Sequence, residues 1–227
     1  MEGTPQGGPL SPLLANVLLD RVDKALEQRE HAFVRYADDC NVYVRSRRAG
    51  ERTMVQLARL YGALRLRINE VKSAVAPARR RPFLGFAFWA GPNGVTKRRV
   101  ADKALRKMKQ RVRELTRRNG GASLPQVAVK LREYLSGWKA YFRLADTPNV
   151  FAELDGWIRH RLRAIQLKQW KRGTTIYREL RARGASKDLA ARIAANARRW
   201  WRNSAMGLHI ALPNRLFDEL GVPRLAA

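Results

Sequence analysis

The stretch FVRYADDCNVYVRS, Phe33 to Ser46, decides how the first half of the chain is read. Two runs rich in β-branched and aromatic residues flank Ala37-Asp38-Asp39-Cys40. Val42 and Val44 alternate with Asn41, Tyr43 and Arg45. That period of two is a strand signal, and two such runs around a short polar break predict a hairpin with the aspartates at its tip. Taken alone, an Asp-Asp pair is ordinary turn composition. In the right surroundings it is also a compact way to aim carboxylates at divalent cations.

Working outward, Gly3 to Pro12 (GTPQGGPLSP) carries too many Gly and Pro residues for regular structure and reads as a loop. Ser11-Pro12 then predicts a helix start, with Ser11 as N-cap and Leu14, Val17, Leu18 and Val22 at helical spacing to about Gln28. Beyond the hairpin, a second helix is predicted over about Gly50 to Leu64, and a short strand containing Lys72 over Leu66 to Val75. Pro82 to Phe88 is predicted as a further strand, turned by Gly91 to Gly94 into Val95 to Val100. This is an α+β pattern, and it ends near residue 96.

From there the apolar spacing becomes helical. Leu105, Met108, Val112 and Leu115 form one stripe, and Leu131, Leu135, Trp138 and Phe142 a second. Leu154, Trp157, Ile158, Leu162 and Ile165 form a third, and Ala185 to Arg202 predicts one more helix. The expected organisation is an α+β part over 1–96, an all-α part over 97–183 and a helical tail over 184–227.

The charge is placed unevenly. Forty-six Lys and Arg against nineteen Asp and Glu give +27 over 227 residues. Residues 1–96 hold 15 basic and 9 acidic residues, whereas residues 97–203 hold 29 and 8, a net +21. Such an excess repels itself unless a polyanion neutralises it, which points to nucleic acid or an anionic membrane surface. Cys40 is the only cysteine, so no internal disulfide or cysteine-based zinc site forms, and His31, His160 and His209 lack ligand spacing. No signal peptide or membrane-spanning stretch is legible, and the expectation is a cytoplasmic protein without a membrane partner.

Four motifs then occur in one order. Tyr36-Ala37-Asp38-Asp39 resembles the YxDD signature of reverse transcriptases, and GTPQGGPLSPLLANVLLDRVD, Gly3 to Asp23, resembles the motif preceding it in that family. Leu66 to Ser73 resembles the next motif, and Phe83-Leu84-Gly85-Phe86 the primer-grip hairpin. Any one is weak, but the ordered set is specific. Tyr134 to Lys171 resembles the maturase-specific thumb of the reverse transcriptases encoded by bacterial group II introns, and ALPNRLFDELG their ending.

The resemblance implies part of a reverse-transcriptase palm followed by an all-α thumb. It implies RNA-templated DNA synthesis by two-metal phosphoryl transfer with Mg²⁺, with RNA, an RNA/DNA primer-template and a deoxynucleoside triphosphate as partners, the RNA being intron RNA. Asp38 and Asp39 are then the metal ligands and catalytic carboxylates. Gln6, Gly7, Gly8, Tyr36, Ala37 and Lys72 would face nucleotide or template, and Phe83, Leu84 and Gly85 would brace the primer. The cations Arg106, Lys107, Lys109, Arg111, Arg113, Arg159, Arg163, Lys168, Lys171 and Arg172 would hold RNA. They have few acidic neighbours, unlike an ordinary solvated helix face.

In that family the fingers and an earlier palm strand, which brings another metal-binding aspartate, come before these motifs. Helical Asp20 and Asp23 are not assigned that role. The expectation is that this chain alone synthesises no DNA, that its sheet keeps an open edge through which it could associate, and that nothing after Leu220 resembles an endonuclease. Two other readings stay open: a non-catalytic RNA-binding maturase-like splicing cofactor, and an inactive truncated remnant.

Overall fold

The period-two alternation resolves into a hairpin, β1 (Ala32–Tyr36) paired antiparallel with β2 (Asp39–Tyr43), in a computed structural model that describes residues 8–226. Phe33 pairs with Val42 and Tyr36 with Asp39, which leaves Ala37 and Asp38 as a two-residue turn. Helix α1 (Ser11–Glu27) precedes the hairpin and α2 (Arg47–Ala63) follows it. Ser11 lies inside α1 rather than capping it, with Leu10 at the N-cap position and Pro12 in the first turn. Proline is tolerated there because that amide would have no intrahelical acceptor.

These elements belong to the first of two compact units, Met1–Leu84 and Gly85–Ala227. Its core is small: Leu19, Val22 and Leu26 of α1 pack with Phe33 and Val42 of the hairpin and with Leu57, Leu60, Tyr61 and Leu64 of the α2 region. The stripe expected on α1 is therefore only partly right. Val22 is buried, but Leu14, Val17 and Leu18 are exposed, Val17 at 65%.

Residues 64–77 form no strand. The Asn69 side chain accepts from the Lys72 amide at 3.1 Å and its carbonyl from Ser73 at 2.9 Å, a local turn that competes with extended pairing. The chain then lies across α2 at Gly50, where an added Cβ would fall 2.5 Å from Val75 Cγ1, so only glycine fits.

In the second unit β3 (Phe86–Ala90) pairs with β4 (Thr96–Val100) around a 3₁₀ turn at Pro92–Gly94. The expected strand from Pro82 is shifted, because Leu84 and Gly85 turn at φ 49° and 78° before pairing starts. Three long helices follow: α3 (Asp102–Leu115), α4 (Leu124–Phe142) and α5 (Pro148–Trp170). Ser123 and Gln126 cap the start of α4 reciprocally. Met108, Val112, Leu131, Leu135, Trp138, Phe142, Leu154, Ile158, Leu162 and Ile165 all reach one core, as their spacing predicts.

Sequence spacing did not show α6 (Gly173–Ala182), and the single helix expected over 185–202 is two, α7 (Lys187–Ala195) and α8 (Trp200–Ser204). The break follows from Asn203, whose buried amide donates to the carbonyls of Ile193 and Asn196 at 3.3 and 2.8 Å and so closes the end of α7. Helix α9 (Asn214–Glu219) completes the order. The chain is thus mixed α and β, with two small antiparallel sheets and a helical second half. Among the described residues no helix is long and apolar enough to cross a membrane.

Candidate functional site

Asp38 is the second residue of the β1–β2 turn and Asp39 the first of β2, and both are exposed. Neither carboxylate is engaged by an ion pair among the described residues, although many basic side chains are present in the unit. Ala37 closes the turn at φ 52°, a left-handed backbone that costs a non-glycine residue about 1–2 kcal/mol. Something must hold it there.

Arg35, on the inner face of β1, supplies that hold. Its Nε donates to both Asp23 carboxylate oxygens at 2.9 Å and its Nη2 to Oδ2 at 2.5 Å. Nη1 donates to Asn16 Oδ1 at 2.9 Å and to the Ala37 carbonyl at 3.0 Å. The side chains of Arg35 and Asp23 are only 12% and 19% exposed. The hydrogen bonds that Arg35 donates to Asp23 raise the Arg35 pKa despite the opposing effect of burial. Beside it, burial pushes the Cys40 thiol up to about 11, so Cys40 is a neutral thiol near neutral pH. Sequence reasoning missed Asn16, Asp23 and Arg35. The signal was available: alternation puts Arg35 on the same face as half-buried Phe33, and a charge on an inward face needs a partner.

Gln6 and Gly7 lie outside the described residues. Gly8 accepts from the Ser11 amide at 3.0 Å, Tyr36 is exposed on the hairpin's outer face, and Lys72 is exposed at its turn, its carbonyl accepting from Arg81 at 2.5 Å. Phe83 and Leu84 close the first unit. Gly85 opens the second at φ 78°, where a Cβ would come 3.1 Å from the Phe142 ring, which gives this glycine a packing reason of its own.

In the second unit the expected cations fall into two groups. Arg106, Lys107, Lys109, Arg111 and Arg113 are all exposed on α3, and only Arg111 is ion-paired, with Glu114 at 3.1 Å. Lys171 and Arg172 are exposed where α5 gives way to α6. Lys168 bonds the Asn119 side chain and lies 5.0 Å over the Trp200 ring, which Arg118 approaches at 5.7 Å. Arg113 and Arg161 lie 5.6 and 5.4 Å over Trp157. Arg161 also donates to Thr116 Oγ1 at 2.6 Å, and burial, then Arg118 and Arg113, pull its pKa down. Arg118 was not singled out from the sequence, because Lys168 and Trp200, which it meets, lie far along the chain.

Two expected RNA contacts need correction. Arg159 is 2% exposed, bonded to Asp155 at 3.4 Å, Asp218 at 2.9 Å and the carbonyls of Val222 and Pro223. A guanidinium so enclosed presents nothing to a nucleic acid. Arg163 is half-buried, with Nε on the Leu212 carbonyl at 2.9 Å and Nη2 on Asn214 Oδ1 at 2.7 Å, so its fork serves the chain's own backbone and side-chain acceptors. Trp138 is buried in the core and Trp157 packs against it. Among the described residues no group of three or more His, Cys, Asp or Glu side chains comes together as a metal site.

Comparison with protein families agrees with this division of labour. Residues 1–88 match the model of reverse transcriptase (RNA-dependent DNA polymerase), and residues 105–184 that of the group II intron, maturase-specific domain. None of the curated proteins compared with the chain matches it. The turn bearing Asp38 and Asp39 falls in the first match and the cationic helices α3 and α5 in the second. The first part of the chain is thus similar to reverse transcriptases and the second to the group II intron maturase-specific domain.

Proposed function

We propose that the chain is part of a group II intron reverse transcriptase and maturase, in which Asp38 and Asp39 hold Mg²⁺ for RNA-templated DNA synthesis and the second unit grips RNA. One observation carries this reading: two adjacent carboxylates on a tight turn, exposed and unclaimed by any cation, within a reverse-transcriptase segment. Hard oxygen donors suit Mg²⁺, which keeps several waters and needs few protein ligands. When bound, the metal pair supplies activation of the attacking 3′ oxygen and neutralisation of charge on the leaving pyrophosphate.

Asp38, at the tip, is the principal ligand, and Asp39, one residue on, shares the site or steadies its waters. As the family resemblance implies, an earlier palm strand brings a further carboxylate ligand to this pair. Gln6, Gly7, Gly8, Tyr36 and Ala37 line the nucleotide, Lys72 offsets pyrophosphate charge, and Phe83, Leu84 and Gly85 brace the primer. Exposed Arg106, Lys107, Lys109, Arg111, Arg113, Lys171 and Arg172 meet RNA phosphates, while Lys168 approaches them from beside Trp200. Aromatic faces beside such cations can also stack unpaired bases.

The test is primer extension on an RNA template with Mg²⁺. The 227 residues alone should incorporate no nucleotide, and a protein that adds the preceding palm segment should extend the primer. Asp38→Asn in that longer protein should abolish synthesis and leave RNA affinity unchanged. The row of exposed cations on α3 also supports one other reading, a non-catalytic RNA-binding splicing cofactor. Undiminished synthesis by Asp38→Asn would overturn the assignment of the carboxylates. RNA binding without synthesis, even in the longer protein, would establish the cofactor reading instead.

A further inference from the structure

The first unit uses an expensive arrangement at an unexpected place. Arg35 sits just before the turn, and its guanidinium is largely withdrawn from water, yet among the described residues its hydrogen bonds reach neither Asp38 nor Asp39. Its donors go to two α1 side chains, Asp23 and Asn16, and to the carbonyl of Ala37, the residue directly before Asp38. A planar guanidinium with several fixed donors can hold three acceptors at once, which a lysine ammonium on a flexible stem does less well. The acceptor on the hairpin belongs to the one turn residue with positive φ. A bond to that carbonyl fixes the peptide plane that leads into Asp38.

We propose that Arg35, fixed by Asp23 and Asn16, is a positioning residue that sets the Ala37–Asp38 peptide and thereby the presentation of the Asp38–Asp39 carboxylate pair. This rests on the reading of that pair as metal ligands. Asp23 is then not a metal ligand displaced onto a helix. It is the anchor through which α1 dictates the turn, and Asn16 sets the orientation of the fork by taking one of its remaining donors. The groups facing the guanidinium are Asp23 and Asn16 from α1, the Ala37 carbonyl from the turn, and Cys40 and Tyr61, which burial keeps neutral near neutral pH. No second carboxylate competes with Asp23 for it among the described residues.

The experiment uses the whole chain, with Mn²⁺ as the probe, and reads two NMR signals in wild type, Arg35→Lys, Asp23→Asn and Asn16→Ala. The first is the set of backbone shifts of Ala37 and Asp38, which report the left-handed turn without any metal. The second is paramagnetic broadening of the Ala37–Cys40 amides during Mn²⁺ titration. Arg35→Lys keeps a positive charge opposite Asp23, so the Phe33–Val42 pair and α2 should retain their wild-type shifts. In that variant the Ala37 signal should move out of its left-handed position and Mn²⁺ should bind the turn at least tenfold more weakly. Asp23→Asn should do the same with a lower melting temperature, and Asn16→Ala should give a smaller loss, about threefold.

Variants that keep both the Ala37 shifts and the Mn²⁺ affinity of wild type would overturn the positioning role. If the turn amides of the wild-type chain ignore Mn²⁺, the same titration in the longer protein with its preceding palm segment decides the metal assignment, and there too silent turn amides would remove it; the shifts of Ala37 decide in either protein whether Arg35 sets the turn.

Discussion

Arg159 of α5 and Asp218 of α9, fifty-nine residues apart in sequence, meet at 2.9 Å inside the second unit. Asp155, one turn before Arg159 on α5, completes the charge balance and accepts the backbone amides of Leu225 and Ala226 at 2.9 and 3.0 Å. Asp218 in turn accepts from Arg224 at 2.5 Å. The result is a small network of alternating sign, buried at Arg159 and open to water at Arg224, that fastens α9 and the residues after it onto α5.

Breaking that network at Arg159 is costly because this buried guanidinium depends on Asp155, Asp218 and two carbonyls for its lost hydration. Arg159→Leu should destabilise the second unit by about 3–5 kcal/mol, the range for stripping one partner from a buried pair. All six tryptophans lie in Gly85–Ala227, so urea unfolding followed by tryptophan fluorescence reads this unit alone. A destabilisation below about 1 kcal/mol, the scale of an exposed ion pair, would show that the enclosure is looser than its burial suggests.

Acid should loosen the same network. Bonding to Arg224 first, then to Arg159, holds the Asp218 carboxyl below its ordinary value of 3.8. A depressed folded value means the stabilisation is complete above the unfolded pKa and disappears as pH falls through the folded one. Unfolding midpoints of wild type should therefore be level above about pH 5 and fall below about 4. Asp218→Asn should start lower and fall less over the same window.

RNA affinity should respond to the exposed cations and not to the buried one. Taking away one side chain that neutralises a phosphate lowers the slope of log affinity against log salt concentration by about one. Arg106→Gln and Lys107→Gln should each show that change in filter binding at several salt concentrations. Folded Arg159→Met should keep the wild-type slope. A chain whose RNA affinity ignores salt would leave α3 without its proposed role.

Cys40 offers an independent check on the first unit. Its pKa of about 11 against the usual 9.0 makes the thiolate about a hundredfold scarcer at pH 8 than for a free thiol. Alkylation by iodoacetamide should be slow by about that factor in the native chain and reach the free-thiol rate in urea. Rapid native labelling would mean that the hairpin does not rest on α1.

How far these features could be read from the sequence depends on how local their causes are. The hairpin was legible because its strands are neighbours and a period of two needs no distant partner. Helices α3, α4 and α5 were legible because Met108 and Val112, Leu131 and Leu135, and Ile158 and Leu162 repeat at the pitch of a helix. Illegible features each turn on a partner remote in sequence. Arg159 looked like a surface cation because Asp218 lies far along the chain. The α7–α8 break depends on one side chain, Asn203, reaching back to Ile193. The outward face of α1 could not be told from its buried face by spacing alone, because leucines and valines occupy both. At the candidate site the aspartates were visible at once, whereas Arg35 required asking what a charge does on the inward side of a strand.

One consequence concerns the final half-dozen residues. Val222 and Pro223 give carbonyls to Arg159, while Leu225 and Ala226 give amides to Asp155, so this short tail acts as a plug satisfying both signs of charge on one helix. Trimming it would strand a cation and an anion together in the interior, harm out of proportion to the apolar surface removed. A shortened version that fails to fold would thus reveal the missing plug, and would say nothing against the domain's capacity to hold RNA.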